Sequence, residues 1–484
     1  MTGSLKVDAR GCVKEIGKGG VPVANRVVEW VKDVVLFVLV LAMLAQSAHI
    51  LVLDQRYPGN DGALSTLRML WRDLNAAGAA GGDWQEGVSG RELWPASVVL
   101  LSAEGEGYLP FRTENEAAQI AEVLSLVVQM LRQGQPFFSD KHFEDMLQQD
   151  GLLVDLGRAL PVDMVLALLG ESGDLKRQVR YLLLTETEDG IQLSMDGDQM
   201  LCYAIKGDQI RQSYLGCANR IASSPSLLPI GIVGRDGMET SIKMGTLYAK
   251  DNTDMLVATG TNALFEPDGS VSTTLLQTAL PAFSYNISTP RRDVEADGTL
   301  VYVENYSSIR LAPDGVLAYR ASEARHGLPL SRFLSSGDRE NYRARDVILG
   351  AYALLDSIHP EFGDLPGAGL RYTGASFSRE EGKLYLYFDY VLGGMTVICK
   401  GYDHAATLCY ENGYFSSVTL LLRNYTLQES CHLADFERQW RMAEIQTGVA
   451  PGTAELCYED NLDGTPMVAT YRFGIAKQEE APAK

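Results

Sequence analysis

GTLVYVENYSSIRLAPDGVLAYR, Gly298 to Arg320, sets short apolar runs beside two Asp-Gly pairs, Asp297-Gly298 at its start and Asp314-Gly315 within it. Asp-Gly and Asn-Gly supply the positive φ angles that tight hairpins need, so the stretch reads as antiparallel strands. The same punctuation recurs at Asp189-Gly190, Asp196-Gly197, Asp268-Gly269, Asn412-Gly413 and Asp463-Gly464. Together these turns predict much antiparallel sheet beyond about Gly173. Two helices are expected to interrupt it. One runs from about Asp338 to Ile358 and buries Val347, Ile348, Ala351, Leu354, Leu355 and Ile358; the other covers about Leu433 to Ile445. Hairpin, helix, strands, helix, hairpin is an α+β order, with helices packed on one face of antiparallel sheets.

Further upstream, an apolar strand is expected around Ser97 to Ser102. A helix then starts at Thr113, which has capping-box spacing to Glu116, and Ile120, Val123, Leu124, Val127, Val128 and Leu131 keep a helical period. Another helix is expected over Lys141 to Gln149. GLLVDLGRALPVDMVLALLG, Gly151 to Gly170, follows as strand, turn and short helix. Ahead of all this, Gly62 to Ala77 carries a helix that runs into the Gly-rich AAGAAGGDWQEGVSG, a flexible connector.

Val34 to Leu53, VVLFVLVLAMLAQSAHILVL, contains no Asp, Glu, Lys or Arg. Its length matches a hydrocarbon core of roughly 30 Å at about 1.5 Å per residue, so it is read as one transmembrane helix. Lys6, Arg10, Lys14, Lys18, Arg26 and Lys32 precede it, and the chain after it turns acidic. The positive-inside rule therefore puts the N-terminus in the cytoplasm and the bulk of the chain outside. Ala45-Gln46-Ser47 offers a small-residue cleavage pattern. The apolar run continues past it through Leu53, however, so the segment is read as an uncleaved anchor. Ala42, Ala45, Gln46 and His49 share one stripe of that helix. Small residues and a polar amide in lipid suit a partner helix there; the other open reading is that Gln46 and His49 lie towards the outer interface, where water reaches them.

The chain has 484 residues, more than one core usually serves, and a net charge of −20. That charge excludes phosphate-backbone binding, so no nucleic acid is expected as a partner. The expected organisation is a cytoplasmic tail (1–33), the transmembrane helix (34–53), and a juxtamembrane helix with connector (54–93). An N-terminal α+β region (94–172), a central β-rich region (173–297), a C-terminal α+β domain (298–476) and a tail (477–484) follow.

No catalytic constellation is legible. His142, His326, His359, His404 and His432 are dispersed, with no HExxH pair, and there is no G-x-S-x-G elbow or P-loop. Glu459, Asn461, Asp463 and Gly464 imitate the start of a calcium loop, but its twelfth position is Thr470, so the stretch is read as a hairpin turn. No metal and no cofactor are expected. Tyr385, Tyr387 and Asp389 alternate with Leu384, Leu386 and Phe388, which makes one strand face core and the other half-exposed. The tyrosine face is either a docking surface or a cover over neighbouring sheet. Cys399 and Cys409 flank a hairpin-like stretch with Asp403 and His404 near its tip, while Cys431 and Cys457 bracket the last helix. Disulfides and small buried thiols are both open readings for these four.

Four passages carry a family resemblance: Gly298 to Arg320, Lys383 to Val397 (KLYLYFDYVLGGMTV), Ala454 to Phe473 (AELCYEDNLDGTPMVATYRF) and Gly151 to Gly170. They resemble the YycH/YycI proteins, membrane-anchored accessory regulators of the WalK/WalR-type cell-wall two-component system of low-GC Gram-positive bacteria. Chain length and the single anchor suit YycH better than the shorter YycI. The resemblance implies a non-enzymatic protein whose anchor contacts the transmembrane helices of a sensor histidine kinase and whose ectodomain adjusts kinase output. It also implies a paralogous accessory protein as a second partner. The competing expectation is a tethered extracytoplasmic module for ligand binding or envelope assembly.

Overall fold

The computed structural model describes residues 97–475 apart from short internal stretches, the longest being 169–177, 335–341 and 360–367. The predicted anchor over Val34 to Leu53, its stripe Ala42, Ala45, Gln46 and His49, and the Gly-rich connector lie outside the described residues. Among the described residues, no helix is long and apolar enough to cross a membrane.

The first half is β1 (Ser97–Leu101), β2 (Glu106–Leu109), α1 (Glu114–Gln133), β3 (Gln135–Ser139), α2 (Phe143–Met146), β4 (Gly151–Pro161) and α3 (Val162–Leu168). It continues with β5 (Gln178–Thr187), β6 (Gly190–Met195), β7 (Met200–Lys206), α4 (Asp208–Ala222), β8 (Leu228–Ile232) and β9 (Leu247–Ala249). The nine strands make one antiparallel sheet in the order β3-β7-β6-β5-β4-β1-β2-β8-β9. The apolar run Leu152-Leu153-Val154 does not alternate with polar residues because both faces of β4 are covered. Leu152, Val154 and Leu156 join the core that holds Ile120, Val123, Val127, Tyr214 and Ile221 of α1 and α4. Leu153 faces the other way, with Val99, Leu101, Leu183, Phe143 and Met146.

The second half is β10 (Asp254–Asn262), α5 (Thr273–Ala282), β11 (Arg291–Val294), β12 (Leu300–Glu304), β13 (Ser307–Leu311), β14 (Val316–Ala321), β15 (Leu328–Pro329) and α6 (Ala344–Ile358). Then come β16 (Gly369–Ser378), β17 (Lys383–Leu392), β18 (Met395–Cys399), β19 (Ala406–Glu411), β20 (Tyr414–Leu421), β21 (Arg423–His432), α7 (Phe436–Thr447), β22 (Pro451–Asp460), β23 (Pro466–Met467) and β24 (Ala469–Ile475). Ten of these strands follow the path β11-β12-β13-β14-β20-β19-β17-β18-β22-β24, with β15 on β20 and β16 on β17; β21, β10 and β23 form a small second sheet. All pairs are antiparallel except β18 with β22. Helix α6 buries the six residues expected of it. Each such aliphatic side chain taken from water contributes roughly 1.5–3 kcal/mol.

Several expectations change. Among the described residues, the region beyond Gly173 holds two further α-helices, α4 and α5, beside the two predicted. α4 buries Ile210, Tyr214, Cys217 and Ile221, a helical period hidden in a polar segment. The expected boundary at 172/173 falls between β4 and β5, which are paired neighbours in one sheet. That at 297/298 falls in the β11–β12 turn, inside another. Helices do not keep to one side of the first sheet, since α2 packs on the face opposite α1 and α4. Of the seven turn glycines, six have positive φ and Gly190 does not. Its requirement is space: a Cβ there would lie 2.0 Å from the carbonyl oxygen of Ile205.

The stretch between Cys399 and Cys409 is not a hairpin. β18 pairs with Tyr390–Leu392 and β19 with Leu384–Phe388 of the same β17, both antiparallel to it. The two strands therefore run end to end along one edge, with residues 400–405 as an excursion between them.

Candidate functional site

Between the nine-stranded sheet and the C-terminal sheet lies a cavity of about 420 Å³, within the range of small-molecule pockets. β1, β2, β4, β5, β8 and β9 line one side, and β16, β18, β22 and β24 the other. Three hydrogen bonds tie these walls together. Tyr108 Oη donates to Gly393 O at 2.7 Å, Ala249 N donates to Tyr471 Oη at 2.6 Å, and Ser241 Oγ donates to Pro451 O at 2.6 Å.

The polar part of the cavity begins at an irregularity in β4, where pairing with β5 shifts between Asp155 and Leu160. The shift frees Asp155 to accept from Gly157 N at 2.7 Å, and from Arg180 Nε and Nη2 at 3.0 and 3.2 Å. Bidentate charge-assisted pairs of this kind fix geometry as well as charge. Burial works against the charge on Arg180, but Asp155 outweighs it and holds the guanidinium above its ordinary pKa. Burial, reinforced by Asp155, pushes the Tyr181 phenol up as well. Gly157 has φ +76°, and a Cβ there would sit 1.9 Å from Arg371 Nη1. Arg371, buried on β16, donates to Thr396 Oγ1 at 2.9 Å, and that hydroxyl donates to Glu455 Oε1 at 3.0 Å. Arg472 stands opposite Glu455 in the β22–β24 register. The lining thus combines guanidinium and hydroxyl donors with an apolar wall, a composition suited to binding.

The sequence-derived candidates lie elsewhere. Leu384, Leu386 and Phe388 are fully buried, and Tyr385, Tyr387 and Asp389 form the half-exposed face of β17, as alternation predicts. That face is engaged within the chain. Tyr385 Oη donates to Glu381 at 2.9 Å, Tyr387 bonds Ser376 and stacks on His404 at 4.4 Å, and Asp389 accepts from Ala405 N at 3.2 Å. Beside it the open sheet face continues through Arg310, Arg320, Lys383 and Glu411.

Cys399, Cys409, Cys431 and Cys457 all carry free thiols, and all but Cys431 are buried. Cys399 and Cys409 sit on successive strands along one edge of β17, so they are not cross-strand partners. Burial pushes the Cys399 and Cys457 thiols up to about 12. Asp463 is committed to its turn, accepting from Thr465 N at 3.0 Å and Thr465 Oγ1 at 2.6 Å.

Nothing local in the sequence marks the cavity. Ser97, Asp155, Arg180, Arg371, Glu455 and Arg472 come from six strands and meet only through the tertiary fold. The one readable hint was Asp155-Leu156-Gly157, a glycine two residues after an acid inside an otherwise apolar strand.

No family model matches the chain, and no curated protein matches it. Among solved structures it is similar to the crystal structure of YycH from Bacillus subtilis, with 10% sequence identity and a TM-score of 0.48 over 81% of this chain and 96% of that one.

Proposed function

We propose that this chain is a membrane-tethered, non-enzymatic accessory regulator of a sensor histidine kinase in a cell-envelope two-component system, with its bulk on the extracytoplasmic side. One observation carries the reading beyond the resemblance of single passages. Gly298 to Arg320 forms β12–β14, Lys383 to Val397 forms β17 and β18, and Ala454 to Phe473 forms β22–β24. All of these strands except β23, which pairs with β10, converge on one sheet. Helix α6 packs against it, with Tyr352 edge-on to Phe388 at 5.1 Å and its hydroxyl accepting from Tyr372 N at 2.7 Å. Aromatic strands and Asp-Gly turns recur by chance in sequence, but their assembly around the predicted helix supports a common architecture. The apolar run Val34 to Leu53 supplies the tether, and its Ala42, Ala45, Gln46 and His49 stripe is the proposed contact with the kinase helices.

A membrane two-hybrid assay of the full chain against the sensor kinases of its own genome tests this. One kinase should give a signal that falls when Ala42, Ala45, Gln46 and His49 are replaced by Leu. No signal with any kinase overturns the reading. A second reading, a tethered ligand-binding module, is favoured by the cavity between the sheets.

A further inference from the structure

We infer that the cavity between the two sheets is a binding site for a small organic anion, a carboxylate or phosphate on a flat apolar body. The inference does not rest on the kinase reading.

Charge gives the sign of the ligand. Arg180, Arg371 and Arg472 line the cavity against two carboxylates, Asp155 and Glu455. Both carboxylates are already engaged: Asp155 by Arg180 and Gly157 N, Glu455 by the Thr396 hydroxyl. Arg472 stands opposite Glu455 in register, yet among the described residues its guanidinium makes no ion pair or hydrogen bond. An exposed arginine at the cavity, with the local carboxylates committed elsewhere, is an available anion clamp.

Unused hydroxyls give the polar contacts. Ser97 is 5% exposed and lines the cavity, and its hydroxyl has no hydrogen-bond partner among the described residues. The Tyr181 phenol is in the same position. Neither oxygen is sealed off from the cavity, so both hydroxyls open onto it and can bond what enters. The rest of the wall is apolar, from Leu228, Ile230 and Leu247 on one sheet to Leu456 and Phe473 on the other. A ligand between them touches both sheets at once, so its binding would bias their relative position.

The test uses the full chain, purified in detergent, and isothermal titration with four probes that share one body: 2-naphthoate, 2-naphthyl phosphate, neutral 2-naphthamide and cationic 2-naphthylmethylamine. At least one anion should bind at one site per chain, tenfold or more tighter than the amide or the amine. The stronger of the two anions identifies the head group as carboxylate or phosphate. Arg472→Gln, at an exposed position, should weaken the anion at least tenfold and leave the amide unchanged. Ser97→Leu, which fills the space, should abolish binding of all probes while the melting transition of the chain is retained. Equal affinity for anion and amide overturns the proposal, as does an unchanged anion affinity in Arg472→Gln. Absence of saturable binding of both anions leaves the cavity a water site and overturns it as well.

Discussion

Arg423 and Asp460 form a bidentate ion pair with almost no solvent contact: Nε to Oδ2 is 2.9 Å, Nη2 to Oδ1 is 3.0 Å, and both residues are 2% exposed. The pair sits where β20 passes into β21, and the surroundings add further hydrogen bonds to it. Arg423 Nη2 also donates to Gly260 O at 2.9 Å, while Asp460 accepts from Leu462 N at 2.8 Å and Tyr425 Oη at 3.3 Å. Such a pair adds little over apolar residues of the same volume, but removing one partner strands the other charge. Asp460→Ala should therefore lower unfolding free energy by about 3–5 kcal/mol in urea titration. Arg423→Met with Asp460→Leu should recover most of that loss. A single substitution costing less than about 1 kcal/mol would show that the charge is not stranded.

Gly260 is a second test of the same junction. A Cβ there would lie 2.6 Å from Asp460 Oδ2, 2.9 Å from Tyr425 Cε1 and 3.0 Å from Arg423 Nη2. None of these groups has room to yield, so Gly260→Ala should destabilise by about 1–3 kcal/mol through overpacking. Measuring it in the Arg423→Met, Asp460→Leu background should give a smaller penalty, because two of the three obstacles are then gone.

Stability should fall on the acid side through His359. This residue is 5% exposed, with Nε2 3.3 Å from Arg423 O, and burial holds its pKa below the ordinary value of 6.5. The unfolded chain then binds the proton first. The stabilising contribution is whole above about pH 6.5 and is lost as pH falls from there towards the folded-state value. His359→Gln should flatten the stability–pH curve in that window while leaving its slope at higher pH unchanged. A wild-type curve that is flat below pH 6.5 would remove the basis for this.

Thiol chemistry separates the two readings of the cysteines. With Cys399 and Cys457 pushed up to about 12, their thiolate fraction at pH 8 is smaller than that of an ordinary thiol by about a thousandfold. Iodoacetamide should leave both unmodified in the native chain and label both after unfolding in urea without a reductant, read by mass spectrometry. Labelling that appears only after reduction would mean that they are disulfide-bonded.

Much of the C-terminal half is readable from local pattern, because its strands obey simple periods. β17 alternates residue by residue, α6 repeats its apolar face, and six of the seven turn glycines adopt the positive φ that Asp-Gly and Asn-Gly imply. The failures have physical causes. α4 was hidden because four buried residues are diluted among Asp208, Gln209, Arg211, Gln212 and Arg220. The Cys399–Cys409 stretch imitates a hairpin because two strands on one edge of a longer strand show the same sequence pattern as two strands facing each other. Beyond the hint at Asp155-Leu156-Gly157 the cavity is not legible, since its charged groups are supplied one strand at a time and its polarity looks like ordinary solvent exposure.

Leu422 alone separates β20 from β21, and its backbone serves both sides: its N–H donates to Gly315 O at 2.8 Å, and its carbonyl accepts from Ala263 N at 3.1 Å. A chain that changes sheets through one fully bonded residue has no hinge there. Tension applied at β10 passes by strand pairing to β21, along the backbone through Leu422 to β20, and by pairing to β14, so the small sheet and the C-terminal sheet are joined stiffly at this point. The two large sheets meet differently, across the cavity through the side-chain bonds of Tyr108, Ser241 and Tyr471, which makes that seam the softer of the two junctions.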